Sequence, residues 1–565
     1  MVVVGNGIAM CCHQIGLKRL GSNLMSFVLN QQPRPFRLSV VMMVKNEAKN
    51  LAISLPALKG WIDELIVLDS GSTDDSQQLV EAAGGQWFVN TNWQGFGKQR
   101  QLAQSYATGD WILALDADEE ITPQLKQSIL EVIAQPPANT VYGIKRIDCI
   151  FGHAIDNPYW PLKAHWRLYP ANFQYNDNLV HESIEIKDAH TSTLQGLLLH
   201  HTAETPYFWI DKRLSYAKAW ADDRALRNKT CGALSIFVHT FWAFFKQYFI
   251  DGRFLMGKYG LVYSLLFTQY TFNKYAILYD LVNNQAELAF QESVDIAKTL
   301  TPIDQSQKKS TLSLVMIVKN EAKHLAACLN TVHDIVDEIV ILDSGSHDQT
   351  AQIAEKYHAR WYVNTDWQGF GKQRQLAQHY ATGDYILVLD ADERLSQSLR
   401  ESIVKILNQS VQTDCVFSLA RVNYFSGIPT HLRGWYRDWE NRLYARHFFS
   451  YSDLDVHESV NTNRAQIVKL KGLHLHFTSE DLFHYVVKRN RYSLDWACDK
   501  YKYQKNISLI SILLRTCFSF IREYWIRGAF LSGAYGIISS LVLMFYTFDK
   551  YLILWEKSQG NSLNK

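Results

Sequence analysis

Apolar residues gather early in this chain into short unbroken runs: "LSVVMMV" from Leu38, "ELIVL" from Glu64, "WFV" from Trp87 and "WILAL" from Trp111. None has a polar face. Runs this short and this uniformly apolar fit strands covered on both sides, as in a parallel sheet. Polar, helix-compatible stretches separate them. Ser72-Thr73-Asp74-Asp75 carries a capping hydroxyl with an acid three residues on, which predicts a helix start there. "QRQLAQSYA" from Gln99 predicts a second helix. The order βαβαβαβ implies an α/β layer fold. In such sheets ligands bind beyond the carboxyl ends of the strands. The polar residues fall there: Lys45, Asn46 and Glu47 after the first run, Asp69 after the second, Asp116 and Asp118 after the fourth.

The pattern then recurs. "WQGFGKQRQLAQ" stands at Trp93 and again, letter for letter, at Trp367. "DELIVLDSGSTD" at Asp63 matches "DEIVILDSGSHD" at Asp337, and "DWILALDADEE" at Asp110 matches "DYILVLDADER" at Asp384. Later, "VHES" at Val180 matches "VHES" at Val456. A period this long is a duplicated domain rather than a solenoid. The domains are expected at residues 38–282 and 312–557, with a polar linker at 283–311 and a poorly ordered extension at 1–37.

Composition narrows the class. Of 565 residues 47% are apolar and 20% charged, ordinary for a chain with real cores. A net charge of +2 gives no nucleic-acid signal. The eight cysteines show no CxxC and no zinc-like spacing, so free thiols in a reducing compartment are expected. The start, "MVVVGNGIAMCCHQIGLKRLG", lacks a basic stretch before an apolar run and does not read as a signal peptide.

Asp116 and Asp118, like Asp390 and Asp392, form D-A-D at the exit of a buried strand. Two carboxylates so placed repel each other, and burying both requires a cation. Mg2+ or Mn2+ suits them, since either takes oxygen ligands and is shared between carboxylates and a diphosphate. A solvated acidic loop is the bland reading. The recurrence of the same strand and the same basic segment favours the functional one. "GFGKQRQ" offers glycine for close backbone approach, then Lys98 and Arg100, with Lys372 and Arg374 in the second copy, at a helix start suited to phosphate.

Together "VKNEA", "LDSGSTD", "GFGKQRQLAQ" with "ATGD", and "LDADE" resemble the donor-binding half of glycosyltransferase family 2. Both copies look most like the inner-core glucosyltransferases of lipopolysaccharide and lipooligosaccharide in Gram-negative bacteria. The resemblance covers nearly all of each copy. It implies two tandem GT-A domains, Rossmann-like with a mostly parallel sheet, each followed by an aromatic-rich helical tail. It implies that Asp69 and Asp343 hold the base or ribose of a nucleotide sugar such as UDP-glucose. Asp118 and Asp392 would bind the metal, joined by the late histidines His200 and His476. Asp116 and Asp390 would reach the ribose or the metal. The acceptor implied is the lipid A-core oligosaccharide. Inverting transfer needs a base, for which Glu182 and Glu458 in "VHES" are the candidates and Glu204 and Glu480 the rivals. Neither copy has QxxRW, so each is expected to add single sugars. Two alternatives stay open: one working copy beside a degenerate acceptor-binding copy, and a carbohydrate-binding scaffold without turnover. Lys163 is replaced by Asp438, and His165 by Glu440, in the second copy, which suggests that the copies take different acceptors.

Each copy closes in apolar, aromatic sequence. Residues 528–548 are uncharged and long enough to span a bilayer, but Arg253, Lys258 and Gln269 interrupt the equivalent run in the first copy. Helices lying in the membrane interface are therefore expected, with Lys246, Arg253, Lys258, Arg515, Arg522 and Arg527 toward anionic lipid. This would place the protein in the cytoplasm, peripheral on the inner face of the cytoplasmic membrane. Packing of these helices on their own domain is the rival.

Overall fold

The computed structural model describes residue 29 and residues 34–560, except 138, 156–161, 179–181, 187, 285, 430–437, 453–458, 464, 480 and 504–506. The chain divides into two compact units. One comprises the chain through Trp209 together with Phe244–Phe267; the other comprises Ile210–Ala243 and the chain from Thr268 onward.

In the first unit the four apolar runs form β1 (Leu38–Val44), β2 (Glu64–Asp69), β3 (Gln86–Val89) and β4 (Trp111–Asp116). Between them lie α1 (Ala48–Ser54), α2 (Ser76–Ala82) and α3 (Phe96–Ser105). Then come β5 (Glu119–Ile121), α4 (Pro123–Ala134), β6 (Thr140–Ile150), β7 (His153–Ile155), β8 (Ala164–Pro170) and β9 (His190–Ala203). The sheet order is β3-β2-β1-β4-β8-β6-β9-β5, with β7 on β6. β1 to β4 are mutually parallel, while β8 runs antiparallel to β4 and β6, so the later strands make the sheet mixed.

Alternate residues of β1 enter different cores. Leu38, Val40, Met42 and Val44 pack with Leu51, Trp61 and Ile129 on one face. Val41 packs with Ile66, Ala103 and Tyr169 on the other. This double cover is why the strands carry no polar face. The helix expected at Ser72 begins only at Ser76, and no side chain caps it. Ser72 instead accepts from the Asn46 N–H of the neighbouring loop, and Asp74 ties the first residues of α1 and α2 together, accepting from the Ala48 and Ser76 N–H groups.

The second unit opens with most of α5 (Pro206–Leu226) and α6 (Ala233–Phe245), then the later part of α7 (Gly257–Asn283) and α8 (Ala286–Thr299). The second copy repeats the sheet. Its elements are β10 (Leu312–Val318), α9 (Leu325–Leu329), β11 (Glu338–Asp343), α10 (Thr350–Lys356), β12 (Arg360–Val363), α11 (Phe370–His379) and β13 (Tyr385–Val388). They continue as β14 (Glu393–Leu395), α12 (Gln397–Leu407), β15 (Cys415–Phe425), β16 (Ile428–Pro429), β17 (Asp438–Ala445) and β18 (Gln466–Ser479). The order is β12-β11-β10-β13-β17-β15-β18-β14, the same topology. Helices α13 (Leu482–Tyr501), α14 (Leu509–Ile521) and α15 (Gly533–Gly560) close the chain.

Residues Ala529–Gln559 are the one stretch, among the described residues, long and apolar enough to cross a membrane. Half of that apolar window is buried against protein. α15 packs on α13 and α14. Its Asp549 is buried and accepts from Gln269 Nε2 at 2.8 Å, and its Tyr535 hydroxyl donates to buried Asp280 at 3.2 Å. Burial pushes the Asp549 carboxyl up to about 8, the Gln269 bond opposing.

Candidate active site

The register of β1 sets the site. Val44 lies opposite Asp69 on β2, and Met43 lies opposite Asp116 on β4, so both acids leave the sheet at one edge. Beyond β1, Asn46 takes a left-handed conformation, φ +58°. Asparagine tolerates this better than most residues. Its Oδ1 accepts from the Thr73 N–H at 2.7 Å, and its N–H donates to Ser72 Oγ at 2.8 Å. Asp69 accepts from the Ser72 N–H at 2.9 Å and from Ser72 Oγ at 2.6 Å. Gly71, φ +98°, permits the turn that brings Ser72 back. Asp343 and Ser346 repeat the arrangement. Asp69 and Asp343 stand at the expected strand ends, where they are buried and tie their own loops.

Asp116 is clamped. Arg100 Nη2 lies 2.5 Å from Oδ1, and Arg167 Nη2 lies 2.7 Å from Oδ2 and 2.8 Å from Glu119 Oε1. Both guanidiniums are buried. Burial alone would raise the Asp116 carboxyl, but the two arginines override it and hold the group far below the usual carboxylate range. Asp390 is held the same way by Arg374 at 2.8 Å and Arg442 at 3.2 Å. The expectation for Arg100 and Arg374 is thereby corrected. They lie beneath the site as counter-ions to the first aspartate, because α3 and α11 turn them onto the sheet. Lys98 and Lys372 are exposed at the same helix starts. The glycine reading also changes. A Cβ on Gly97 would come within 2.0 Å of Asn176 O, and its N–H donates to Asn178 O at 3.0 Å. That glycine admits a loop against the helix, and its N–H is not available to a phosphate.

The second aspartate is placed differently. β5 runs antiparallel to β9 with Glu119 opposite His200, and the His201 N–H donates to Asp118 O at 2.8 Å. His200 Nε2 thereby stands 3.3 Å from Asp118 Oδ2, while Nδ1 stands 2.7 Å from Asp148 Oδ1. Burial would lower the His200 imidazole, but the bonds to Asp118 and Asp148 prevail and push it up to about 9. In the second copy His476 Nε2 is 3.3 Å from Asp392 Oδ2, with Nδ1 2.7 Å from Asn423 Oδ1. A carboxylate and an imidazole converge in each copy, with the far ring nitrogen held from behind. That donor set fits a divalent cation.

Of the base candidates, Glu182 reaches the site, its Oε1 3.2 Å from Arg100 Nε. Glu458, with His181 and His457, lies outside the described residues, as does Glu480. Glu204 pairs with exposed Lys49 at 3.7 Å. Glu321, from the repeated "KNEA" turn, is pushed up to about 7 by burial, then by Asp392 and Asp390. Sequence reasoning passed over Glu321, Arg167 and Arg442, Glu119 and Glu393, and Asp148. The two arginines were within reach, since "RLY" recurs at Arg167 and Arg442.

The charge reversal between copies is absorbed inside the protein. Asp438 pairs with Arg421 at 2.6 Å, and Glu440 pairs with Arg421 and with Arg442 at 2.8 Å. Glu440 is held down to about 2, its burial outweighed by Arg442 and Arg421. In the first copy His165 sits beside Arg146 and Arg167, and burial with those charges lowers it to about 4. Asp438 and Glu440 are therefore partners for arginines, not open groups in a pocket. Glu393, Glu440 and His474 also bring three donor atoms within 4.8 Å of one another. Arg442 already bridges the two carboxylates there, which disfavours an added cation.

The glycosyl transferase family 2 profile matches residues 39–192 and 313–470, more than half of the chain. An uncharacterized glycosyltransferase of Rickettsia felis is 30% identical over 248 residues, 42% of this chain and 87% of that one. The lipopolysaccharide core biosynthesis glycosyltransferase LpsC of Rhizobium meliloti is 28% identical over 253 residues, 42% of this chain and 90% of its own length. Most of each relative is thus matched by less than half of this chain, the proportion expected of proteins with one copy. Among solved structures, the mannosyltransferase PcManGT of Pyrobaculum calidifontis, in complex with GDP-Man and Mn2+, is 13% identical. It covers 50% of this chain and 95% of that one, with a TM-score of 0.28 that decides nothing further.

Proposed function

The chain belongs to glycosyltransferase family 2, and from that premise we propose a bifunctional, metal-dependent inverting transferase. It adds single sugars, glucose from UDP-glucose, to the core of lipopolysaccharide or lipooligosaccharide, and each copy makes its own linkage. The carrying observation is the pairing of Asp118 with His200 and of Asp392 with His476, 3.3 Å apart in both copies. A degenerate copy would have had no reason to keep it.

Asp118 with His200, and Asp392 with His476, would hold Mg2+ or Mn2+, and the ion would supply positive charge against the leaving diphosphate. The chain's own residues do the rest. Arg100 and Arg167 fix Asp116 and Glu119, so the strand end keeps its shape while charge moves beyond it. Exposed Lys98 and Lys372 stand ready for phosphate oxygens. In the transfer, the acceptor hydroxyl oxygen bonds the anomeric carbon while the carbon–diphosphate bond breaks. The leaving diphosphate takes the electron pair, and the hydroxyl proton passes to Glu182 in the first copy and Glu458 in the second. The resemblance to LpsC supports the core acceptor.

Separate linkages are supported by differences around a shared site. Asp148 behind His200 becomes Asn423 behind His476, and Leu198 becomes His474, which contacts Glu393 at 3.0 Å. The test is transfer by the full chain carrying Asp118→Ala or Asp392→Ala, with a panel of nucleotide sugars and truncated cores. Each variant should lose one linkage and keep the other. Distinct donors for the two copies, or loss of the same linkage from both variants, would refute the reading.

A further inference from the structure

α14 is amphipathic in the reverse sense. Its inward face carries Ile512, Thr516 and Ser519, with Glu523 following in the π-helical turn Arg522–Ile526. These inward groups are buried, and the Thr547 hydroxyl of α15 donates to Ser519 Oγ at 3.0 Å. Its outward face carries Ile510, Leu514, Phe518, Ile521 and Trp525, spaced three or four apart and all exposed, Leu514 at 66% and Trp525 at 57%. The first copy repeats this position by position. Leu234, Val238, Trp242, Phe245 and Phe249 are exposed, while Ile236, Ala243 and Gln247 are buried. A π-helical turn, Lys246–Ile250, follows there too. Drift after duplication would have replaced outward apolar residues with polar ones, since water tolerates such stripes poorly.

We propose that each stripe docks in the headgroup layer of an anionic bilayer, as a ridge lying in the membrane plane. Three features select this occupant. The faces are convex helix surfaces dressed with Trp and Phe, side chains suited to the membrane–water boundary. Exposed cations flank them: Lys246 in the first copy and Arg515 in the second, matching acidic headgroups, with Arg522 also exposed though it pairs with Glu523 at 2.9 Å. α14 has 13 residues, too few for the ~20 a helix needs to span. Two cations expected to face lipid do not. Arg253 is largely buried, paired with Asp251 at 3.3 Å and over the Tyr263 ring, and Arg527 turns back onto buried Glu523 at 3.0 Å. The proposal stands on exposure and charge, independently of the sugar-transfer reading.

The test is flotation of the purified full chain with vesicles of phosphatidylethanolamine and phosphatidylglycerol, against vesicles of phosphatidylcholine alone. The chain should float with the anionic vesicles, less so in high salt. Phe518→Ser with Trp525→Ser should weaken binding at least tenfold while leaving the melting temperature unchanged, and Arg515→Gln should weaken it at low salt. Equal binding to neutral vesicles would overturn the choice of an anionic surface. Undiminished flotation of the serine variant would overturn the docking site. So would failure to float combined with a dimer that the serine variant dissociates, because the stripe would then be an interface between copies of the chain.

Discussion

His200 Nε2 lies 3.3 Å from Asp118 Oδ2 while its Nδ1 lies 2.7 Å from Asp148, so one imidazole is suspended between two carboxylates at the end of a buried strand. His476 has the same relation to Asp392 but leans on the neutral Asn423. A carboxylate behind a histidine raises its basicity as a ligand, and an amide does so less. The first copy should therefore hold a divalent cation more tightly. Asp148→Asn should weaken Mn2+ affinity of the first copy roughly 10- to 100-fold. Isothermal titration of the full chain carrying Asp392→Ala, so that one site is read, checks this. An unchanged affinity would remove His200 from the metal shell.

Arg167 is the clamp on two acids. Removing it by Arg167→Met leaves Asp116 with Arg100 and leaves Glu119 with Arg146 at 3.4 Å. Breaking a buried pair costs about 3–5 kcal/mol. The expected outcome is a lowered denaturation midpoint for the first unit. The same substitution at Arg442 should destabilise the second, where Asp390, Glu393 and Glu440 all lose a partner.

Glu182→Gln separates catalysis from structure. A base for the acceptor proton contributes about 10²–10⁴ in rate. The glutamine keeps an oxygen for Arg100, so folding should be preserved while kcat of the first linkage falls by that factor. A loss of melting temperature with full kcat per folded molecule would make Glu182 a counter-ion only.

Asp549 carries a pH prediction. Its folded carboxyl, raised to about 8, stays protonated where the unfolded chain ionises near the ordinary aspartate value of 3.8. Stability from this group is complete below the unfolded value and is lost as pH rises through the folded one, about 1.4 kcal/mol per unit of separation. The second unit should melt progressively lower from pH 5 to pH 8. Asp549→Asn should flatten that slope, read by calorimetry across the range. A slope unchanged by the substitution would show that the carboxyl is not neutral in the fold.

Strand positions were written in the chain: β1, β2, β3 and β4 fall on the four runs within a residue at either end, and in β1, β2 and β4 burial on both faces is what admits almost only apolar residues, whereas edge strand β3 is partly exposed. The duplication was equally legible, since identity over "WQGFGKQRQLAQ" requires no geometry. The recurrence of Asp118 and His200 in both copies was also legible, while the expectation that they share a metal came from the family resemblance. Only the tertiary structure decided how these two and their neighbours are arranged. Antiparallel pairing of β5 with β9 is a long-range contact that no local pattern encodes, and it is what carries His200 to Asp118. Helix α3 presents Arg100 to the sheet and Lys98 to solvent, a choice made by the direction of packing and not by two like charges two residues apart. The reversal from His165 to Glu440 looked like a new pocket charge. Whether a charge is offered to a ligand or spent on a neighbour depends on which cation lies beside it, and Arg421, on the neighbouring strand β15, is brought there only by the folded sheet.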